Sequence, residues 1–170
     1  MTARGLGVMT ALAVLVADQA AKAAVLSYFW TNGPASSPLA PFLDLALRWN
    51  RGISFSFFSQ DTAGGRFALL VVTLAATGLL AWWLSRSRSS LVAIGLGAII
   101  GGALGNAFDR AMRGAVVDYL DFHVAGTHFF VFNLADAAIN IGVALLVIDL
   151  AFGSRTRDGP NPTPIPPGFK

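Results

Sequence analysis

All nine acidic residues of this chain are aspartates, and their positions are the first chemical signal. Asp118 and Asp136 flank one segment outside the apolar stretches, so both approach the same depth of the fold. Two carboxylates close together in a low-dielectric site cannot both ionise cheaply, and they share a proton. The ionised one can deprotonate a water, while the protonated one can donate to a scissile carbonyl. Peptide hydrolysis needs these two roles. Asp136 also has a plainer reading: Asn133 reads as a helix N-cap, and Asp136 at the third helical position suits the helix dipole. Asn140 continues the Asp136 face one turn further in. Asp18 and Lys22 are four apart and share a helix face. They read either as an intrahelical ion pair with Lys22 snorkelling outward, or as walls of a polar pocket. Asn106 and Arg110 place an amide and a cation on one helical row with Gly102. Asp109 and Arg113 read as solvated helix ends, and Asp149 as an interfacial residue.

These groups must be positioned by four long apolar stretches. The stretches run from about Gly5 to Phe29, Phe67 to Leu84, Leu91 to Phe108 and Asn133 to Phe152. Each is long enough as a helix to cross a hydrocarbon core of roughly 30 Å. The first begins like a signal peptide, after Arg4, but Asp18, Gln19 and Lys22 inside it argue for a retained helix. An ionisable group within a span is costly and by default suggests function. Gly97, Gly101 and Gly105, spaced by four, suit close helix packing in lipid. Arg4, Arg86 and Arg88, Arg155, Arg157 and Lys170 fall on one side of a four-span chain. That side is expected to be the cytoplasm, although Arg48, Arg51, Arg66, Arg110 and Arg113 lie towards the other. Trp82 and Trp83 fit an aromatic belt at the inner interface.

Two segments remain outside. Residues 30–66 begin with a turn-rich stretch, Thr31 to Pro41. The aromatic part from Phe42 to Phe58 is suited to short strands lying on the membrane surface. In residues 109–132, the Val- and Tyr-containing run from Val116 to Val124 favours a surface strand. Residues 1–152 read as one membrane-embedded domain. The tail from Gly153 to Lys170 holds five of the eight prolines and reads as disordered.

Composition agrees with this class. Of 170 residues, 55% are hydrophobic and 12% charged, about half the charge fraction of an ordinary soluble domain. The net charge of +3 comes from scattered cations at span ends, which argues against nucleic-acid binding. The absence of cysteine excludes disulfides, thiol nucleophiles and cysteine zinc sites.

Several ordered blocks carry a family resemblance across about residues 8–150. They are Asp18-Gln19-x-x-Lys22; Asn50-Arg51-Gly52 with Ser54-Phe55-Ser56; Gly101-Gly102-Ala103-Leu104-Gly105-Asn106-x-x-Asp109-Arg110; Gly114-x-Val116-Val117-Asp118-Tyr119; and Phe132-Asn133-Leu134-Ala135-Asp136. In this order they resemble the bacterial lipoprotein signal peptidases, the signal peptidase II aspartic peptidases. The resemblance implies a catalytic dyad at Asp118 and Asp136. It implies a supporting shell at Asp18, Lys22, Asn50, Gly102, Asn106, Arg110 and Asn133. It implies a polytopic α-helical membrane protein of four transmembrane helices, with a small extracytoplasmic β-sheet and a surface helix. The implied substrate is a prolipoprotein already carrying diacylglycerol on its future N-terminal cysteine, cut just before that residue. The implied setting is the bacterial inner membrane, with both termini cytoplasmic and the site at the outer face. No cofactor or metal is expected; the partners are substrate and membrane lipid, and the chain is read as a monomer.

The chain departs from the family pattern at Ile53-Ser54, where alanines are expected, at Ala137, where serine is common, and at Tyr119, where phenylalanine is common. Within the span-three face, Gly101, Gly102 and Gly105 are read as leaving room for small substrate side chains. The Phe42–Phe58 loop is read as a substrate cover centred on Asn50. Among rivals, a serine–lysine peptidase has Lys22 but no serine in a nucleophile setting. A presenilin-like protease lacks its Gly-x-Gly-Asp block. A metalloprotease built on Asp121, His123 and His128 lacks a His-Glu-x-x-His helix. A small proton-coupled carrier using Asp18, Lys22 and Asp136 is the alternative from a different class, though four spans are few and no internal repeat is visible.

Overall fold

The computed structural model describes residues 1–52 and 63–152. Its elements follow in the order α1 (Ala3–Asn32), β1 (Ser37–Ala40), β2 (Leu43–Asn50), α2 (Ala63–Arg86), α3 (Ser90–Arg113), β3 (Val116–Val124), β4 (Thr127–Phe132) and α4 (Leu134–Phe152). All four helices are long and apolar enough to cross a membrane, and they coincide with the four apolar stretches. The strands form one antiparallel sheet in the order β1-β2-β3-β4. Four spans and a small sheet are the expected architecture. Among the described residues there is no separate surface helix; the part of the first outer segment at 53–62 lies outside them, as does the tail from 153.

α3 is the central helix. Its most apolar window is 61% buried, against 17% or less in each of the others. Two glycine rows explain how neighbours come so close. Gly97 and Gly101 meet the α1 backbone at Gly7 and Ala11, and Gly105 meets Asp18. On the other side, Gly102 meets the carbonyl of Ala135 and the side chain of Ile139 in α4, while Gly95 and Gly142 each meet the other's carbonyl. In lipid, where the surroundings are as apolar as the side chains, such backbone approach is a main source of association. The packing reading of the glycines is therefore the right one. The second reading is corrected: neighbouring helices occupy the faces of Gly101, Gly102 and Gly105, so no room is left there for substrate side chains.

The two ends of the bundle differ. At one end the sheet packs on α1 through Val25, Phe29, Val117 and Tyr119, with Leu45, Leu47 and Leu134 around them. At the other, Leu84, Ala93, Leu96 and Ile100 form a second apolar cluster. There Thr2 and Arg4 line the same crevice as Ser87 and Arg88. The Ser89 hydroxyl caps α3 by accepting from Val92 N at 3.3 Å, and donates to Asp149 Oδ1 at 2.9 Å. The chain start, the α2–α3 turn and the end of α4 thus share one end. Trp82 and Trp83 are exposed there, with the Arg86 guanidinium 4.3 Å above the Trp82 ring.

Some boundaries differ from expectation. α3 continues past Phe108 to Arg113 and stops at Gly114, whose φ of +77° is the left-handed conformation glycine tolerates. The turn-rich stretch after α1 contains strand β1, paired to β2. β3 has the expected limits but is mostly buried, so it is not a surface strand.

The close approach of α3 and α4 is directly testable. A Cβ at Gly102 would stand 2.5 Å from the Ala135 carbonyl oxygen, whereas one at Gly78 would meet nothing within 4 Å. Gly102→Ala is expected to cost about 1–3 kcal/mol through overpacking and to lower the unfolding temperature in detergent. Gly78→Ala should leave it nearly unchanged, and equal stability of the two variants would contradict the packing described.

Candidate active site

The polar residues converge at the sheet end of the bundle, where α1, α3, α4, β2 and β3 meet. Lys22 is the starting point, because its ammonium is fully buried. A buried ammonium must have its donors used. Its Nζ lies 2.8 Å from Asp18 Oδ2, 2.8 Å from Asp109 Oδ2 and donates to Asn106 Oδ1 at 2.9 Å. The ion-pair reading of Asp18 and Lys22 holds, but the snorkelling attached to it does not: neither residue has exposed surface.

Each acceptor then reaches another element. Asp18 Oδ1 accepts from Ala135 N in the first turn of α4 at 3.0 Å. Asp109 Oδ2 accepts from Val117 N in β3 at 3.1 Å. Asn106 Nδ2 donates to Asp136 Oδ1 at 2.8 Å. One cation thereby anchors the neighbours of both dyad members.

Asn133 completes the frame. Its carbonyl-type oxygen Oδ1 accepts from Asp136 N at 2.9 Å, and its own backbone N donates to Asp136 Oδ2 at 3.1 Å. This is a reciprocal capping box, so the plain N-terminal reading of both residues is correct. It does not exhaust them. Asn133 Nδ2 donates to Asp118 Oδ1 at 2.7 Å and to Asn106 Oδ1 at 3.2 Å. Asp118 Oδ2 accepts from Asn50 Nδ2 at 2.9 Å, and Asn50 Oδ1 accepts from Gly52 N at 2.8 Å. Asp118 and Asp136 are therefore joined through one residue, each with both oxygens held by amides. Burial pushes the Asp118 carboxyl up, and the charge of Asp136 adds to this, against the lowering influence of Asn50, Asn133 and Lys22. Burial and a neighbouring carboxylate both disfavour a second charge beside an ionised Asp118.

Eight of the nine residues expected at the site meet in this network or beside it. Arg110 stands at its edge: Nη1 donates to the Asn106 carbonyl at 3.3 Å, and Asp136, Asp118 and Asp109 act on its charge. Gly102 is the ninth; it admits the start of α4 to α3 and touches no polar group of the site. Asn140 is exposed on α4 and Asp149 lies at the opposite end, bonded to Ser89. His128 Nδ1 is 3.0 Å from both oxygens of Asp121, and His123 Nε2 is 3.2 Å from Asp44 Oδ1. These pairs occupy the far part of the sheet, where Asp44 opposes Asp121 and His123 opposes His128.

Three residues of the network escaped the sequence reading. Asp109 is fully buried, which corrects its reading as a solvated end. Arg113 pairs with it, and Gln19 donates from Nε2 to Asp18, to the Gly105 carbonyl and, at 3.4 Å, to Asp109. The signal was present: Gly97, Gly101, Gly105, Asp109 and Arg113 form one row at four-residue spacing, and the row faces α1. Ending the span at Phe108 hid it. Tyr119, noted only as a departure, uses its hydroxyl to accept from Leu134 N at 3.3 Å.

Residues 10–152 match the family model described as Signal peptidase (SPase) II. A lipoprotein signal peptidase of Methylocella silvestris is 50% identical over 155 residues, 91% of each chain. One from Beijerinckia indica is 48% identical, covering 95% of this chain and 96% of the relative. One from Rhodopseudomonas palustris is 43% identical over 94% of this chain and the whole of the relative. Two solved bacterial membrane enzyme structures share the fold with TM-scores of 0.72. They are 24% and 26% identical and cover 92% and 87% of this chain, and 93% and 94% of their own.

Removing the cation tests the frame itself. Lys22→Met leaves Asp18 and Asp109 buried without their shared partner. Breaking a buried pair from one side costs about 3–5 kcal/mol. A large drop in unfolding temperature in detergent is expected, and wild-type stability would show that Lys22 does not organise this end.

Proposed function

Because this chain belongs to the signal peptidase II family, we propose that Asp118 and Asp136 are the catalytic dyad with which it removes signal peptides from prolipoproteins. The family is a membrane aspartic peptidase family, and the four spans make this chain a multi-pass protein of the bacterial inner membrane. The observation that carries the residue assignment is Asn133, which holds Asp118 by its side chain and Asp136 by its backbone. The carrier alternative loses its basis, since Asp18 and Lys22 are committed to fixed partners.

The chemistry follows from one proton shared by two carboxyls. A water between them loses its proton to the ionised carboxylate as its oxygen bonds the scissile carbonyl carbon. The protonated carboxyl gives its proton to the carbonyl oxygen. As the tetrahedral species collapses, the leaving amine takes the proton collected from water, and the new hydroxyl returns the other. The dyad ends as it began. Lys22, Asn106, Asn133 and Asn50 orient the carboxyls and take no proton in this cycle. Asn50, exposed at the end of β2, stands where an incoming strand of substrate reaches Asp118. The remainder of the expected cover, residues 53–58, lies outside the described residues. The substrate cysteine carries diacylglycerol, whose chains remain in the bilayer and set the cut at the depth of the dyad. Residues 1–152 act as one domain in this reading.

Asp118→Asn and Asp136→Asn should each abolish cleavage of a purified diacylglyceryl prolipoprotein, with a loss of at least about 1000-fold, and leave the thermal unfolding of the protein in place. A chelator should not slow the wild-type enzyme. Substantial activity in either variant would sink the dyad.

The orientation we infer places Arg4, Arg86 and Arg88 in the cytoplasm and the sheet outside. The chain has no cysteine, so single cysteines report cleanly. In spheroplasts an impermeant thiol reagent should label Thr127→Cys and spare Arg88→Cys until the membrane is opened. The reverse pattern would invert the topology.

A further inference from the structure

Arg113 has no part in the dyad's hydrogen bonds, yet it closes the network beneath it. It stands in the last turn of α3 with its side chain 25% exposed, against none for Asp109. Its Nη1 contacts Asp109 Oδ1 and donates to Gln19 Oε1 at 3.3 Å. Its guanidinium also lies 5.7 Å from the Phe108 ring centre. The other oxygen of Asp109 holds Lys22 and the backbone of Val117, the residue before Asp118. Arg113 therefore acts on Asp118 through one carboxylate and one strand.

The formal charges sharpen its role. Asp18, Lys22 and Asp109 form a buried cluster with two negative charges and one positive. Without Arg113 that cluster would carry a net negative charge beside a dyad that must itself keep one carboxylate ionised. With Arg113 the cluster is neutral. Arg110 then stands as the cation facing the single negative charge of the half-protonated dyad. A structural tether alone would not require a cation at this position, since a neutral amide can also donate to Asp109.

We propose that Arg113 is a positioning residue that balances the charge of the Asp18–Lys22–Asp109 cluster and thereby holds one carboxylate of the Asp118–Asp136 dyad ionised at working pH. The proposal rests on the dyad reading above. The charged and titratable groups on the elements packed around the dyad are Asp18 and Lys22 from α1, Arg48 from β2, Asp109, Arg110 and Arg113 from α3, and Tyr119 from β3. Arg48 is the cross-strand partner of Asp118, and Arg51 follows Asn50. All except the residue substituted remain in each variant below.

The sign follows directly. Losing Arg113 leaves an extra negative charge near the dyad, so its carboxylate takes up a proton more readily and activity is lost at a higher pH. Losing the charge of Asp109 leaves an extra positive charge and moves that limit the other way. A unit charge at roughly 10 Å in a protein-like dielectric shifts a carboxyl by about one pH unit.

The test is the pH profile of kcat/KM for diacylglyceryl prolipoprotein cleavage by the full chain in proteoliposomes. Arg113→Gln, which keeps a donor for Asp109, should move the acid limb upward by about 0.5–1 pH unit. Below the limb its kcat/KM should fall about 3- to 10-fold, while the plateau changes much less. Arg113→Lys should keep the limb in place. Asp109→Asn should move it downward. An Arg113→Gln profile lowered evenly at all pH values, with its limb unmoved, would overturn the proposal and leave a purely structural residue. A shift in Arg113→Lys, or an upward shift in Asp109→Asn, would overturn it as well. If Arg113→Gln does not fold, those two variants decide. Asp118→Asn, run alongside, tests the dyad separately: activity there removes the dyad reading, whereas an inactive Asp118→Asn with an unmoved Arg113→Gln limb removes only the charge-balance role.

Discussion

A single ammonium group withdrawn wholly from solvent is the constraint around which this end of the molecule is built. Water cannot solvate Lys22, so three oxygens must, and they come from two helices. Each of those oxygens belongs to a side chain that also holds something else: the first turn of α4, the start of β3, or a carboxyl of the dyad. The cost of burying the charge is offset by a geometry that spans four elements. The same geometry makes the network unforgiving, because a low dielectric strengthens satisfied polar contacts and penalises orphaned ones alike.

The helix cap and the proposed catalytic role are not rival descriptions of Asp136. A capping carboxylate at a helix start has two oxygens, and the cap uses one. In α4 the capping oxygen accepts from the backbone of Asn133, leaving the other for the Asn106 amide. The N–H groups of Leu134, Ala135 and Asp136 donate in turn to Tyr119 of β3, Asp18 of α1 and the capping Asn133. A helix terminus needs these partners in any protein. Here they also fix where the Asp136 side chain begins.

Much of this was legible in the sequence. The spans declared themselves by length and hydropathy, β3 by its valines and tyrosine, and the meeting of Asp118 and Asp136 by their places on either side of one outer segment in a matched set of motifs. What was not legible shares one physical cause: facts that depend on what lies across an interface. Gly102 and Gly105 look alike along the helix, and only the packed neighbours show that one faces the Ala135 backbone and the other Asp18. Asp109 at the apparent end of an apolar run looks like a solvated residue. It is buried because Lys22 and the Val117 amide come to it from other elements. Along the helix Lys22 allows both an outward-reaching ion pair and the wall of a polar pocket, and the acceptors that decide between them lie across the interface on α3.

α4 is tied to α3 at both extremities, through Asp136 and Asn106 at one and through Asp149 and Ser89 at the other. Nineteen residues at helical rise make it about 28 Å long, and the ties forbid it to slide. The molecule consequently carries a gauge of set length between the Asp136 end of the bundle and its opposite boundary. When the surrounding membrane is thicker or thinner than that gauge, the lipid has to stretch or compress to meet it.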